Sequence, residues 1–197
     1  EAQGLAEATA IKEKAAACRE FNDAARLQTI LEKLPSIIEA TAPQTEESLS
    51  VQWLPLFHDM GLVTALYNLY VGFPCVMFSP AQFSQRPMRW LEAISRYRAT
   101  AAGGPDSAFA ACAELATKED LARLDLSSWQ LAFCGAEPVR GSTIRRFVEV
   151  FSPCGFRAGA FYPCYGLAEA TLTVSGGHLG RQPVVQRVSA ASLRSGR

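Results

Sequence analysis

"WQLAFCGAEPVRGSTIRRFVEVF", Trp129 to Phe151, decides the fold. A short apolar run through Leu131 to Cys134 ends in a Gly and Pro loop, as a buried strand does. Ile144, Phe147, Val148 and Phe151 then recur at spacings of three and four with charges between them, which marks an amphipathic helix. The same alternation lies on both sides. "PCVMFSP" (74–80), "ATAAGGP" (99–105) and "GAFYPCYG" (159–166) are further strand-like runs, and "PMRWLEAISRYR" (87–98) turns Trp90, Leu91, Ile94 and Tyr97 one way and its charges the other. Strands alternating with helices mean βαβ units, so the expected class is α/β, an open and mostly parallel sheet with flanking helices. Parallel strands joined by right-handed crossovers put their carboxyl ends on one edge, where ligands of open α/β sheets bind. Three loops are expected to converge there: "GGPD" (103–106), "CGAEPV" (134–139) and "CYGLAEA" (164–170), the last entered through a turn at Tyr165 and Gly166. Each offers glycine for close backbone approach, and two add a carboxylate, Glu137 or Glu169.

Ahead of this region, residues 5–34 read as a helix with Ile11, Ala15, Cys18, Phe21 and Ala25 on one side, closed by Pro35. Residues 1–45 form a helical segment, and the polar "TAPQTEES" (41–48) is the best boundary. The 19 basic and 19 acidic side chains cancel, which leaves no positive field for a nucleic-acid partner. No apolar run reaches the roughly 18–20 residues of a membrane span, and Glu1 and Glu7 stand where a signal peptide wants positive charge. The expected location is cytoplasmic. Cysteines at 18, 75, 112, 134, 154 and 164 lack metal-ligand spacing and read as reduced structural thiols. There is no G-x-S-x-G elbow, no G-x-G-x-x-G fingerprint after a strand and no P-loop lysine motif. "SGGHLGR" (175–181) reads as a surface turn, and in residues 178–197 only "PVVQRV" (183–188) keeps a strand-like pattern.

"VQWLPLFHDMGL" (51–62), "FSQRPMRWLEAISRYRAT" (83–100), "DLSSWQLAFCGAEPVR" (125–140) and "CGFRAGAFYPCYGLAEATLTVSGG" (154–177) resemble the fatty acyl-AMP ligases, a branch of the adenylate-forming superfamily. The resemblance runs from about Val51 to the C-terminus. It implies a fragment of the large N-terminal domain of such an enzyme, with the adenylation core over 46–177 and a loosely structured tail over 178–197 that begins the branch's characteristic insertion. It implies activation of a fatty acid with ATP to acyl-AMP and pyrophosphate, with Mg²⁺ as cofactor, and transfer to an acyl carrier protein. Transfer to CoA, or a binding domain without catalysis, are the alternatives.

By the same resemblance Glu169 faces Mg²⁺, and His58 stands where acyl tunnel and phosphate meet. Tyr165 lies on the adenine ring, with Gly166, Leu167 and Ala168 running past the nucleotide. Gly135, Ala136, Glu137 and Pro138 wall the other side, and Gly103, Gly104 and Pro105 border the acyl chain. The residues alone leave other readings open: Tyr165 as a core aromatic with a wet hydroxyl, Glu137 as a carboxylate at a helix N-terminus, His58 and Asp59 as a satisfied loop pair, and Glu169 as a solvated helix residue. The sequence departs from the family's pattern at Cys134, where an asparagine is usual, and at Asp106, Ser107, Phe109 and Ala111, which would place an acid and a hydroxyl near an apolar tunnel. The family's Ser/Thr/Gly-rich phosphate loop has no counterpart in residues 1–45, and its ribose-binding aspartate and catalytic lysine would follow Arg197. The expectation is an incomplete piece of such an enzyme, without activation of its own.

Overall fold

The computed structural model describes residues 48–170, 172–186 and 188–194. The helix expected over 5–34 lies outside them. Six strands form one sheet: β1 (Ser50–Gln52), β2 (Cys75–Met77), β3 (Ala101–Gly104), β4 (Leu131–Cys134), β5 (Phe161–Leu167) and β6 (Leu172–Gly176), in the order β2-β1-β3-β4-β5-β6. All neighbouring pairs are parallel except β5 and β6, so the α/β class and the mostly parallel sheet are as expected.

Two strands were not legible. β1 is "SVQ", and its polar residues look like loop, yet Ser50 and Gln52 are buried. Helix α1 (Asp59–Val71) supplies partners for their donors: Ser50 Oγ donates to Asn68 Oδ1 (2.9 Å) and Gln52 Nε2 donates to the Gly61 carbonyl (2.9 Å), while Gln52 Oε1 has no partner among the described residues. Side chains alternate along a strand, so these bonds hold α1 on one face while Val51 enters the core on the other. The second is β6, which places Ser175 and Gly176 in a strand rather than the surface turn expected for 175–181. Conversely, the described residues of the expected strand-like run, 183–186 and 188, form no strand.

The remaining helices are α2 (Pro80–Gln85), α3 (Met88–Tyr97), α4 (Asp106–Leu115), α5 (Lys118–Arg123), α6 (Gly141–Phe151) and α7 (Ala190–Arg194). Capping boxes start α2, from Ser79 to Gln82, and α5, from Thr117 to Asp120. The faces expected on α3 and α6 are correct for Trp90, Leu91, Ile94, Ile144, Phe147 and Phe151, all buried. Tyr97 is the exception at 44% exposure, because the helix ends at Arg98 in a left-handed conformation (φ 51°) and releases the last side chain, with the Arg96 guanidinium over its ring.

The core is aromatic. Trp90, Phe109, Trp129, Phe147 and Phe161 form one cluster, with edge-on contacts such as Trp90 to Trp129 (5.3 Å between centroids) and Phe109 to Phe147 (5.1 Å). Edge-to-face contact matches the positive rim of one ring to the negative face of the next. Trp129 Nε1 donates to the Leu131 carbonyl (2.9 Å), whereas the equally buried Trp90 Nε1 has no partner among the described residues.

One buried charge interrupts this core. Asp106, first residue of α4, has no exposed surface, yet its carboxylate accepts from the Arg140 backbone N–H (2.9 Å), Arg140 Nη1 (3.0 Å) and Thr143 Oγ1 (2.9 Å). The acid expected near an apolar tunnel is instead a satisfied tie between the start of α4 and the start of α6. Its cost of burial is offset by three bonds and a cation. Replacing Asp106 by Asn keeps the shape but removes the charge, and should lower unfolding stability by about 1–3 kcal/mol. Asp106→Ala should cost more, since it leaves Thr143 and the Arg140 N–H without an acceptor. Urea unfolding followed by tryptophan fluorescence checks this, and an unchanged midpoint in Asp106→Ala would show that the tie contributes nothing.

Candidate functional site

The carboxyl edge of the parallel strands carries the expected loops. Gly104 pairs with Cys134 and Cys134 with Pro163, so β3, β4 and the middle of β5 reach the same level. There β3 and β4 stop and β5 does not. It continues through Cys164 to Leu167 and takes β6 as its antiparallel partner, with Tyr165 opposite Ser175 and Gly166 opposite Thr173. The turn expected at Tyr165 and Gly166 is therefore strand, and the chain turns at Ala168–Ala170, a single 3-10 turn. The β5–β6 ribbon projects beyond the sheet and forms one side of a cleft of about 430 Å³.

Across the cleft stands the β4–α6 loop. Glu137, Pro138 and Val139 line it opposite Pro163, Cys164, Tyr165 and the Ser175–Gly177 stretch, while Pro183 and Val184 add a rim. Tyr165 is 60% exposed, so its ring lies at the surface of the cleft and not in the core. The loop is tight. A Cβ on Gly135 would sit 2.9 Å from the Cys164 carbonyl oxygen, and Ala136 adopts φ 64°, which is rare for a residue with a side chain. Glu137 accepts from Ser107 N–H (3.0 Å) and Ser107 Oγ (2.9 Å), which places its carboxylate at the N-terminal turn of α4. Ser107 thus has its hydroxyl partnered by Glu137.

The other expected residues do not line this cleft. Glu169 and Ala168 are exposed on the turn after β5 and are not part of its lining. Gly166 is hemmed in by the Leu172 carbonyl, 1.8 Å from where its Cβ would be, so no other residue fits there. His58 caps α1 on the loop after β1, the strand on the far side of β3 from β4. Met60 N–H donates to His58 Nδ1 (3.1 Å) and to Asp59 Oδ1 (2.7 Å), and Nδ1 lies 2.7 Å from that same oxygen. The local pair engages Nδ1, and the side chain is half exposed. Gly103 and Gly104 are buried under protein: Phe133 fills the Cβ side of Gly103 and the Trp53 indole that of Gly104. Pro105 caps α4.

Cys134 has no exposed surface and does not line the cleft; burial first, then the charges of Asp106 and Glu137, pushes its thiol far up. Cys164, which does line the cleft, is pushed up to about 11 by burial and is a neutral thiol at ordinary pH. Cys75, Cys112, Cys134, Cys154 and Cys164 are all free, in line with reduced structural thiols. Among the described residues no group of three or more His, Cys, Asp or Glu side chains can hold a metal ion by itself. Cleft residues that sequence reasoning did not single out are Val139, Pro163, Cys164, Ser175, Gly176, Gly177, Pro183 and Val184. The alternation in "TLTVSGG" was the available signal for a strand folding back on β5.

Comparison with known proteins extends these observations. The model of the family described as AMP-binding enzyme matches residues 25–192, beginning ahead of the motif resemblance at Val51. The chain is 46% identical over 162 residues to the medium-chain-fatty-acid–[acyl-carrier-protein] ligase TtuA of Teredinibacter turnerae, covering 82% of this chain and 25% of that protein. It is 40% identical over 166 residues to the long-chain-fatty-acid–AMP ligase FadD32 of Mycolicibacterium smegmatis, covering 82% and 26%. The chain spans about a quarter of the length of these relatives. A crystal structure of a fatty acyl-adenylate ligase from Legionella pneumophila, in complex with acyl adenylate and pyrophosphate, superposes with a TM-score of 0.74 at 45% identity, over 78% of this chain and 27% of that one. A long-chain-fatty-acid-CoA ligase from Archaeoglobus fulgidus, at 17% identity and a TM-score of 0.61, shares the fold alone. With a match over most of its length, the chain belongs to the AMP-binding enzyme family.

Proposed function

We propose that the protein carrying this chain activates a fatty acid with ATP, forming acyl-AMP and pyrophosphate, and passes the acyl group to the thiol of an acyl carrier protein. The observation that carries the reading is the cleft at the carboxyl edge, with Tyr165 on one wall and Glu137 and Pro138 on the other. The names of the similar proteins, two fatty-acid ligases acting on a carrier protein or AMP and one bound to acyl adenylate, support the substrates.

The chemistry asks little of a base. A fatty carboxylate is ionised at neutral pH, so the difficulty is bringing two anions together and stabilising charge on a five-coordinate phosphorus. The chain supplies an aromatic platform for adenine in Tyr165 and a narrow passage along Gly166, Leu167 and Ala168. Gly135, Ala136, Glu137 and Pro138 form the facing wall, which excludes water from one side of the base. His58, held at the start of α1 through Nδ1, presents Nε2 to the place where carboxylate and phosphate meet. Gly103, Gly104 and Pro105 direct the acyl chain, and Phe133 and Trp53 pack against the two glycines.

The donor set fits Mg²⁺. Glu169 is a single exposed carboxylate at the carboxyl edge, and this ion is commonly held by one or two carboxylates together with substrate phosphates. When bound, Mg²⁺ neutralises charge on the phosphates. Glu169→Gln removes the charge and keeps the size. In the whole protein it should lower fatty-acid-dependent pyrophosphate exchange by about 10²–10³ while the unfolding midpoint hardly moves. Full exchange by the folded variant would assign Glu169 to solvent. No exchange by the unmodified protein with fatty acids of any length would overturn the reaction itself.

For the adenine platform, Tyr165→Phe should keep most ATP affinity, whereas Tyr165→Ala should lose about 1–3 kcal/mol, the worth of one base stacked on an aromatic ring. Equal losses would mean that the hydroxyl, not the ring, binds. For the acceptor, residues 178–197 as the start of an insertion that hinders reaction with CoA predict loading of a carrier protein and little acyl-CoA. Mass spectrometry of the products decides, and efficient acyl-CoA formation would move the protein to the CoA-ligase branch.

A further inference from the structure

The β4–α6 loop holds a strained residue, and what holds it belongs to another loop. Ala136 sits at φ 64°, a left-handed backbone that a side chain disfavours and that persists only where its surroundings over-determine it. On one flank, Gly135 N–H donates to the Gly104 carbonyl (3.4 Å) and the residue is packed on Cys164. On the other flank, the Glu137 carboxylate is gripped by Ser107 through N–H and Oγ. Three residues further, Arg140 is fixed to Asp106 through its N–H and its guanidinium. Every one of these anchors, Gly104, Asp106 and Ser107, lies at the end of β3 and the start of α4. The neighbours of Ala136 are thus set by the loop that borders the acyl chain, and Ser107 is one of the positions where this sequence departs from the family's pattern.

We infer that Ser107 is a positioning residue for ATP: through Glu137 it holds Ala136 in its left-handed conformation and so shapes the wall that faces the adenine. The identity of the nucleotide rests on the function proposed above. Ser107 does not touch the nucleotide, and it does not line the cleft. Its effect passes through the Glu137 carboxylate, one of whose oxygens loses its partner when the hydroxyl is removed. Glycine adopts a positive φ without cost, so a glycine at 136 needs no external grip. A role confined to stability would shift the unfolding midpoint and leave the affinity of the folded protein for ATP unchanged.

The test is direct binding of a non-hydrolysable ATP analogue to the whole protein, by titration calorimetry. Ser107→Ala should weaken binding about fivefold, the effect of losing one hydrogen bond to a carboxylate at the surface. Ser107→Ala with Ala136→Gly should return affinity to near the unmodified level, and Ser107→Thr, which keeps the hydroxyl, should hold it there. Fatty-acid affinity should stay unchanged in all three. Unchanged affinity in Ser107→Ala, or a loss that Ala136→Gly does not recover, would overturn the inference. A protein that binds the analogue yet shows no fatty-acid-dependent pyrophosphate exchange overturns the proposed reaction and leaves the positioning role intact; one that does not bind the analogue overturns both.

Discussion

A carboxylate with no access to water is tolerable only when it is bonded on every side, and Asp106 imposes that condition on the carboxyl edge of the sheet. To satisfy it, the backbone and guanidinium of Arg140 and the hydroxyl of Thr143 must all arrive at the first residue of α4. That fixes the start of α6 against the start of α4. The loop between β4 and α6 is then a short bridge between two fixed ends, and it closes only through the left-handed backbone at Ala136.

The aromatic core gives this tie a rigid base. Trp129 precedes β4, Phe109 lies in α4, Phe147 lies in α6 and Phe161 opens β5, so the rings that pack on one another come from the same elements that carry the loops. Such interiors are close-packed and transmit displacement poorly by bending. A shift of α4 against α6 would have to break edge-on ring contacts and the Asp106 bonds together. The loops are therefore positioned by the elements that carry them.

The other side of the sheet is held by polar rather than aromatic contacts. Ser50 and Gln52 reach α1 through Asn68 and Gly61, and α1 begins at His58. A Cβ on Gly61 would lie 2.2 Å from the Pro55 carbonyl oxygen, so the loop carrying His58 folds directly over the first turn of the helix. Position and orientation of His58 follow from this seam, at the end of a different strand from the cleft. His58 and the cleft residues are thus held by different strands of one sheet.

Much of this was legible in the sequence. Short apolar runs ending in Gly or Pro located β2 to β5, and residues at spacings of three and four identified the buried faces of α3 and α6, because periodicity records which side chains meet a core. Alternation of strand and helix then determined the parallel sheet and hence which loops share an edge. What the sequence could not decide were the partners. β1 looked polar because its acceptors lie in a helix that begins seven residues later, the grip of Ser107 on Glu137 had no local signal, and Asp106 looked misplaced until Arg140 and Thr143 surrounded it. Local pattern reports burial and backbone shape; the satisfaction of a buried charge such as Asp106 depends on atoms 34 and 37 residues away in the chain, and only the tertiary structure brings those together.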